Sequence, residues 1–354
     1  MTMLFVINPG ATSTKVAVFK DDYKVFSEAI DHKSEDMAAF NRIYEQRDYR
    51  GKLLRNWLAE KGIKIAGLDA IVARGGILKP MIGGTYSINE LMIDDLKKAE
   101  YGEHAANLGA ALAWDLGGEY GLPLFIVDPV SVDEYCPEAR FSGLKEVPRN
   151  SLAHTLNCRA VAIRLAAEWD RPYKELRLIV VHLGAGISVT VHRAGRIIDN
   201  NNPYEAGPMC PDRAGSLPTK GLVHLAFSGK YDEYSLIKKI HREGGLYDHL
   251  GTKDMREAEK MAADGNDYAA LVLRAMIYQI AKEIGAMSTV LEGVIDGIII
   301  TGGMANSEWL QRELSKRISF IAPVIFKPGE KEMEALAEGA FRVLCGDEKA
   351  HIYQ

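Results

Sequence analysis

The chain has 354 residues, 47% hydrophobic and 26% charged, an ordinary globular composition with length for two domains and their cores, which excludes disordered and fibrous classes. A net charge of −5, with no window of clustered Lys and Arg, gives no electrostatic footprint for nucleic acid. No apolar run approaches the roughly 18 residues of a membrane span, and Met1 leads almost directly into the first apolar run without a basic leader, so a cytoplasmic protein with small-molecule partners is expected.

The first predicted elements lie in "FVINPGATSTKVAVF", residues 5 to 19. A Gly-rich turn at Gly10 joins two apolar runs, and after a break at Asp21 and Asp22 a third runs from Tyr23 to Ile30. This is strand, turn, strand, so the helix that a dinucleotide fold needs after its glycines is missing. The turn still exposes backbone N–H groups, with side-chain donors on Asn8, Thr12, Ser13 and Thr14 beside them, which suits an oxyanion such as phosphate. Residues 34 to 62 carry helical spacing that stops at Gly62, and "LDAIVARGG" follows as a buried strand. A further strand, "LPLFIV", leads into Asp128 and Pro129.

Residues 177 to 199, "RLIVVHLGAGISVTVHRAGRIID", repeat the opening arrangement about half the chain later, with Gly184 answering Gly10. Ile187, Val189 and Val191 alternate there with Ser188, Thr190 and His192, predicting a half-buried strand. Residues 266 to 293 predict a long buried helix before the strand "DGIIITGG". A third Gly-rich turn at Gly302 and Gly303 runs from strand into helix, with Asn306 or Ser307 as N-cap, and could take a nucleoside. Two similar αβ halves with mixed sheets follow, residues 1–150 and 151–330, with a final helix at about 331–354 packing back on the first. Three turns at strand ends can converge on one cleft, which suits a nucleotide with its phosphate chain. The cysteines Cys136, Cys158, Cys210 and Cys345 form no C-x-x-C pair, so they read as reduced and structural.

"VINPGATSTK" and "VVHLGAGISVTV" resemble the two signature segments of the acetate and butyrate kinase family, and "ITGGMANS" resembles its adenosine turn. With "VDP" at residues 127 to 129 and the Arg213 region, the resemblance covers nearly the whole chain; N-P-G at residues 8 to 10 and "ARGGILKPMIGGTY" resemble the butyrate kinase branch. The resemblance implies an α/β fold of two duplicated ribonuclease H-like domains, as in the actin, Hsp70 and sugar kinase superfamily. It also implies reversible phosphoryl transfer from ATP to a short-chain carboxylate, giving an acyl phosphate and ADP, with Mg²⁺ and a homo-oligomeric enzyme.

Carried over by position, Asn8 and Ser13 face phosphate, with Gly10, Thr12 and Lys15 in the same motif, while His182, Gly184 and Gly186 form the second phosphate turn. Gly302, Gly303 and Asn306 fall on the adenosine turn, and Asp128 and Glu332 on the residues tied to Mg²⁺. Arg213 matches an arginine suited to equatorial phosphoryl oxygens, and His154 the active-site histidine. Where the family has an arginine and a second histidine, this chain has Ile71 and Arg74. Ala73 and Ala153 replace larger residues and, with Pro203, are expected to enlarge an acyl pocket. At about 0.8 kcal/mol per buried methylene, two extra carbons would favour butyrate over acetate by about tenfold.

Other readings stand beside these. Arg74 suits an ion pair, His154 a helix cap, Asp128 a turn, and Glu332 the solvated first turn of a helix with Glu330, Glu334 and Glu338. His104 suits a polar helix start, and His32, His224, His241, His249 and His351 receive no role. A kinase for acetate, propionate or isobutyrate is the near alternative. An ATPase switch of the same superfamily would need a client-binding domain for which the chain leaves no room, and a Rossmann dehydrogenase is disfavoured by the strands after Gly10 and Gly186, though NADH binding would restore it.

Overall fold

Residues 3–31 of the computed structural model, which describes the whole chain Met1–Gln354, fold as the antiparallel meander β1 (Met3–Pro9), β2 (Ser13–Lys20) and β3 (Tyr23–Asp31). A single turn α1 (Ser34–Met37) and the helix α2 (Arg47–Glu60) follow. The helical pattern predicted from residue 34 is therefore broken. The Glu45 carboxylate accepts the N–H groups of Asn41 and Arg42, and this side-chain bonding replaces a helical turn before α2. Strand β4 (Ala70–Arg74) then pairs parallel with β1, ahead of β5 (Thr85–Ser87), α3 (Glu90–Lys98), α4 (Leu108–Gly117) and β6 (Leu124–Val127).

The C-terminal helix α12 (Glu332–Leu344) and the short strand β12 (His351–Ile352) complete a seven-stranded sheet in the order β12-β5-β6-β4-β1-β2-β3. Phe5, Ile7, Ile71 and Ala73 share one apolar cluster with Leu54 of α2 and Leu112 of α4, and α12 packs on β1, β4 and β6. The approach of α4 is close. A Cβ on Gly109 would lie 2.3 Å from the Arg74 carbonyl oxygen.

The second sheet repeats the plan. β7 (Leu178–Leu183), β8 (Ile187–Arg193) and β9 (Arg196–Asn200) form an antiparallel meander, and β10 (Gly297–Gly302) and β11 (Val324–Pro328) join β7 in parallel, in the order β11-β10-β7-β8-β9. Its helices are α5 (Thr155–Glu168), α6 (Thr219–Ala226), α7 (Glu233–Arg242), α8 (Gly245–Leu250), α9 (Met255–Ala263), α10 (Asp267–Val290) and α11 (Glu308–Ile318).

Here β8 corrects the half-buried expectation: Ser188, Thr190 and His192 are as fully buried as their apolar neighbours. Helix α10 packs on β8 and α5 on adjacent β7, and the polar side chains satisfy one another. Thr190 Oγ1 donates to the Val180 carbonyl at 3.0 Å, and His192 lies 2.8 Å from Thr190 Oγ1 and 2.7 Å from Tyr173 Oη. Helix α10 departs from the expected long buried helix in the opposite sense: only one of its faces is buried, leaving Tyr268, Leu271 and Tyr278 exposed.

Contacts divide the chain into one unit of Met1–Asp133 with Lys331–Gln354 and another of Glu134–Glu330, so residues 134–150 group with the second meander. No helix is long and apolar enough to cross a membrane. All four cysteines are free thiols.

Candidate functional site

In the first unit, β1, β4 and β6 are parallel neighbours, with Ile7 beside Ala73 and Arg74 beside Val127. Asn8, Arg74 and Asp128 therefore emerge at one carboxyl edge, where ligands of open α/β sheets bind. Helix α12 begins at the same place. Glu332 Oε2 accepts from Asn8 Nδ2 at 2.8 Å and from Arg74 Nη1 at 3.2 Å. The side chains of Arg74 and Glu332 are only 22% and 12% exposed, so Glu332 is no solvated helix-face residue, and the ion-pair reading of Arg74 is realised.

Asp128 is buried in the left-handed region at φ +39, a costly conformation for a residue with a Cβ, and its Oδ1 accepts the Gly84 N–H at 2.8 Å. His104 Nδ1 accepts the Ala106 N–H at 3.1 Å, the polar helix start read from sequence. Burial and then the Arg74 charge lower its pKa. Ala73 is sealed into the core beside Gly109, so its small side chain answers to the packing of α4.

The first glycine turn is closed by the Gly10 N–H donating to the Ser13 carbonyl at 2.7 Å. Thr12 and Lys15 are exposed, and Gly10 and Ser13 are half-buried. Behind the turn, Thr14 Oγ1 lies 2.9 Å from His32 Nε2, and a buried arginine, Arg50, donates to the Gly10 carbonyl at 2.8 Å. Burial, helped by Arg50, pushes the His32 pKa down to about 4. Sequence reasoning missed both residues. The signal for Arg50 was available: it occupies the apolar stripe of α2 that continues at Leu54, Trp57 and Leu58.

In the second unit, His182 of β7, Thr301 of β10 and Lys327 of β11 lie side by side, which brings Gly184, Gly186, Gly302 and Gly303 to one carboxyl edge. His182 is buried and fixed on three sides. Asn157 Nδ2 lies 2.9 Å from its Nδ1, Glu330 Oε1 lies 3.1 Å from its Nε2, and the His154 ring stacks on it at 3.9 Å and 12°. With Asn157 donating to Nδ1, the Nε2 proton points at Glu330. His154 begins α5 but makes no side-chain cap, its Nδ1 lying 2.9 Å from Ser188 Oγ, so the helix-cap reading is set aside.

Arg213 lies with its guanidinium 4.2 Å from the centre of the Tyr204 ring and directly against Gly186. A Cβ on Gly186 would fall 2.3 Å from Nη1. Arg213 Nε and Nη1 are buried and make no hydrogen bond, the Asp212 carboxylate reaching only to 3.9 Å from Nε, a costly condition unless an acceptor arrives.

A cavity of about 1130 Å³ opens beside this turn, lined by Gly184, Gly303, Asn306, Ser307, Glu330 and Lys253 among others. Ser307 is the N-cap of α11, accepting the Leu310 N–H at 3.0 Å and donating to Glu259. Asn306 instead turns back to the Gly303 carbonyl. Gly302 adopts φ +90 and packs so tightly that a Cβ would lie 2.4 Å from the Leu183 carbonyl oxygen. Ala153 and Pro203 are buried and lie outside this cavity's lining.

The acetokinase family model matches residues 148–325. Butyrate kinase 2 of Clostridium acetobutylicum is 46% identical over 352 residues, 99% of each chain, and butyrate kinase 1 of the same organism is 43% identical over 355 residues, covering both chains completely. Among solved structures, acetate kinase of Porphyromonas gingivalis superimposes with a TM-score of 0.82 at 17% identity, covering 97% of this chain and 100% of that one. A propionate kinase of Francisella tularensis gives 0.75 at 17% identity, covering 96% and 99%. At that identity the two structures speak for the fold alone.

Proposed function

From the acetokinase family, to which this chain belongs, we propose a carboxylate kinase that moves the γ-phosphoryl group of ATP reversibly to butyrate, giving butyryl phosphate and ADP. Arg213 carries the reading. Two buried donors without acceptors beside a glycine turn, next to a cavity of nucleotide size, form a site built for anionic oxygens.

The acceptor carboxylate is already ionised near pH 7, so it needs no general base. The transition state is loose and spreads charge over three equatorial oxygens, so the residues act by aligning and neutralising. In this reading Arg213 donates to those oxygens, the Gly184 and Gly186 turn offers backbone N–H groups, and the fixed Nε2–H of His182 lies at the same edge. Gly302, Gly303 and Asn306 hold the nucleoside. Asn8, Ser13, Thr12 and Lys15 bind phosphate oxygens at the Gly10 turn, and Arg74 supplies positive charge beside Asn8.

Mg²⁺ needs few protein ligands, one or two carboxylates beside phosphate and water oxygens. Asp128 and Glu332, hard oxygen donors from the same strand edge, fit that requirement and would hold it. Bound there, the ion would neutralise phosphate charge.

We also read the enzyme as cytoplasmic and as a homo-oligomer. Helices α6 and α7 bury none of their residues, and Val223, Tyr234, Ile237 and the adjoining Phe227 are exposed, a face suited to a second copy. Light scattering on the wild type and on Phe227→Glu tests this: a mass that falls in the variant supports the interface, and an unchanged mass removes it.

The function is tested by trapping acyl phosphate with hydroxylamine, using Mg-ATP with acetate, propionate, butyrate, isobutyrate or valerate, and Arg213→Ala as control. Hydroxamate greatest with butyrate and lost in the variant is expected. A maximum at acetate would replace the substrate, and ATP hydrolysis without hydroxamate would replace the kinase by a hydrolysing switch.

A further inference from the structure

The largest fully buried side chain in the molecule is that of Arg50, a charged residue in the apolar stripe of α2. Its guanidinium embraces the back of the Gly10 turn. Nη1 donates to the Gly10 carbonyl at 2.8 Å and to Thr14 Oγ1 at 3.1 Å, and Nη2 donates to the Ala11 carbonyl at 3.4 Å. Nε and Nη2 are anchored by Gln46 Oε1 at 3.0 and 2.7 Å. Every acceptor is neutral.

A guanidinium buried among neutral dipoles is costly, and apolar replacements at such sites often stabilise a fold. Burial lowers the Arg50 pKa only to about 10, so the charge persists at neutral pH. The neighbouring imidazole, His32, bonds the same Thr14 hydroxyl and is neutral near pH 7, so it adds no second positive charge there. No carboxylate accepts from Arg50; the Asp31 carboxylate, opposite Ser13 across the strand pair, acts on His32 instead. The Gly10 and Ala11 carbonyls point back to Arg50, which fixes the backbone whose other side carries Asn8, Ser13 and Lys15.

We propose that Arg50 is a positioning residue for phosphoryl transfer, setting the conformation of the Gly10 turn from behind and lending a charge that no bonded carboxylate neutralises to the phosphoryl group held in front. This rests on the reading of the Gly10 turn as a phosphoryl site. A structural brace alone would need the hydrogen bonds and no charge. Glutamine keeps a donor and loses the charge, whereas lysine keeps the charge and loses the fork.

The test measures kcat and each KM for Arg50→Gln, Arg50→Lys and Asn8→Ala by hydroxamate formation, with a melting curve for each. Arg50→Gln should lose about tenfold or more in kcat with KM for butyrate within about twofold, because alignment of the phosphoryl group is what fails. Arg50→Lys should recover part of that loss. An Arg50→Gln enzyme that melts earlier yet keeps kcat within about twofold overturns the role, while loss in Asn8→Ala would still uphold the turn. Full activity in Asn8→Ala would overturn the turn and Arg50's role together. Should Arg50→Gln fail to fold, the wild type decides. Butyryl phosphate should move the His32 ring resonances, identified with His32→Gln, and their indifference at saturating ligand overturns the proposal.

Discussion

Arg213 keeps Nε and Nη1 buried without acceptors while lying over Tyr204, and the absence of a side chain at Gly186 makes that position possible. In Gly186→Ala the new methyl group would meet the flexible end of Arg213, so the fold survives and the guanidinium is displaced. We expect stability within about 1 kcal/mol of wild type and kcat lower by about a hundredfold, checked by urea denaturation and hydroxamate kinetics. Two imidazoles set a pH dependence at this scale. Burial first, and the Arg50 and Arg159 charges second, hold the pKa of His32 near 4 and that of His192 near 3. Unfolded histidines take up protons near 6.5. Below that pH the unfolded chain binds more protons, so stability falls as pH drops through the window from 6.5 to about 4, by up to about 1.4 kcal/mol per pH unit for each imidazole. Unfolding free energies between pH 4.5 and 7 should show this slope, and His192→Gln should flatten it. Gly186 and His182 were legible in sequence because a turn and its flanking strands announce them. The burial of Arg50 was legible from its place in the apolar stripe of α2, but its partners were not, because the Gly10 and Ala11 carbonyls and the Thr14 hydroxyl are brought to it by folding.

At the scale of elements, α4 lies on β4 with no room at Gly109, whose Cβ would stand 2.3 Å from the Arg74 carbonyl oxygen and 3.3 Å from Ala73 Cβ. Gly109→Ala must push helix from strand, and backbone on both sides resists. A loss of about 1–3 kcal/mol is expected, read from urea unfolding, together with lower activity because Arg74 ends that strand. Ala73→Val should cost a similar amount for the same reason; a changed butyrate-to-acetate ratio in kcat/KM would support a place for Ala73 in the acyl pocket. Strand existence was legible from the period of two in β8, but its burial was not. Ser188, Thr190 and His192 read as a solvent face until α5 and α10 are seen to cover the sheet and Tyr173 to satisfy His192. Periodicity reports alternation, not which faces are covered.

For the whole molecule, the duplication was legible because two meanders with the same glycine turn recur, but composition gave no sign of the contacts that group residues 134–150 with the second unit. Glu134 Oε2 accepts from Arg159 Nη2 and the Ile197 N–H, the Cys136 N–H donates to Ile198, and Arg149 bonds Asp199. The second unit is thus one uninterrupted segment, Glu134–Glu330, with its own sheet and apolar cluster. The first depends on the distant C-terminal segment, from which α12 buries Met333, Leu336 and Ala340 and Tyr353 Oη donates to buried Asp95 at 2.8 Å. Residues 134–330 produced alone should therefore melt cooperatively. They should also bind ADP, since the cavity beside Gly184 is lined wholly from this segment, yet make no hydroxamate. Residues 1–133 alone should lack a cooperative transition, because removing α12 uncovers β1, β4 and β6. Circular dichroism melts and calorimetric ADP titrations decide: a fragment 134–330 that melts without binding ADP would take the nucleoside away from the Gly302 turn, and a folded 1–133 would show that α12 is dispensable to its core.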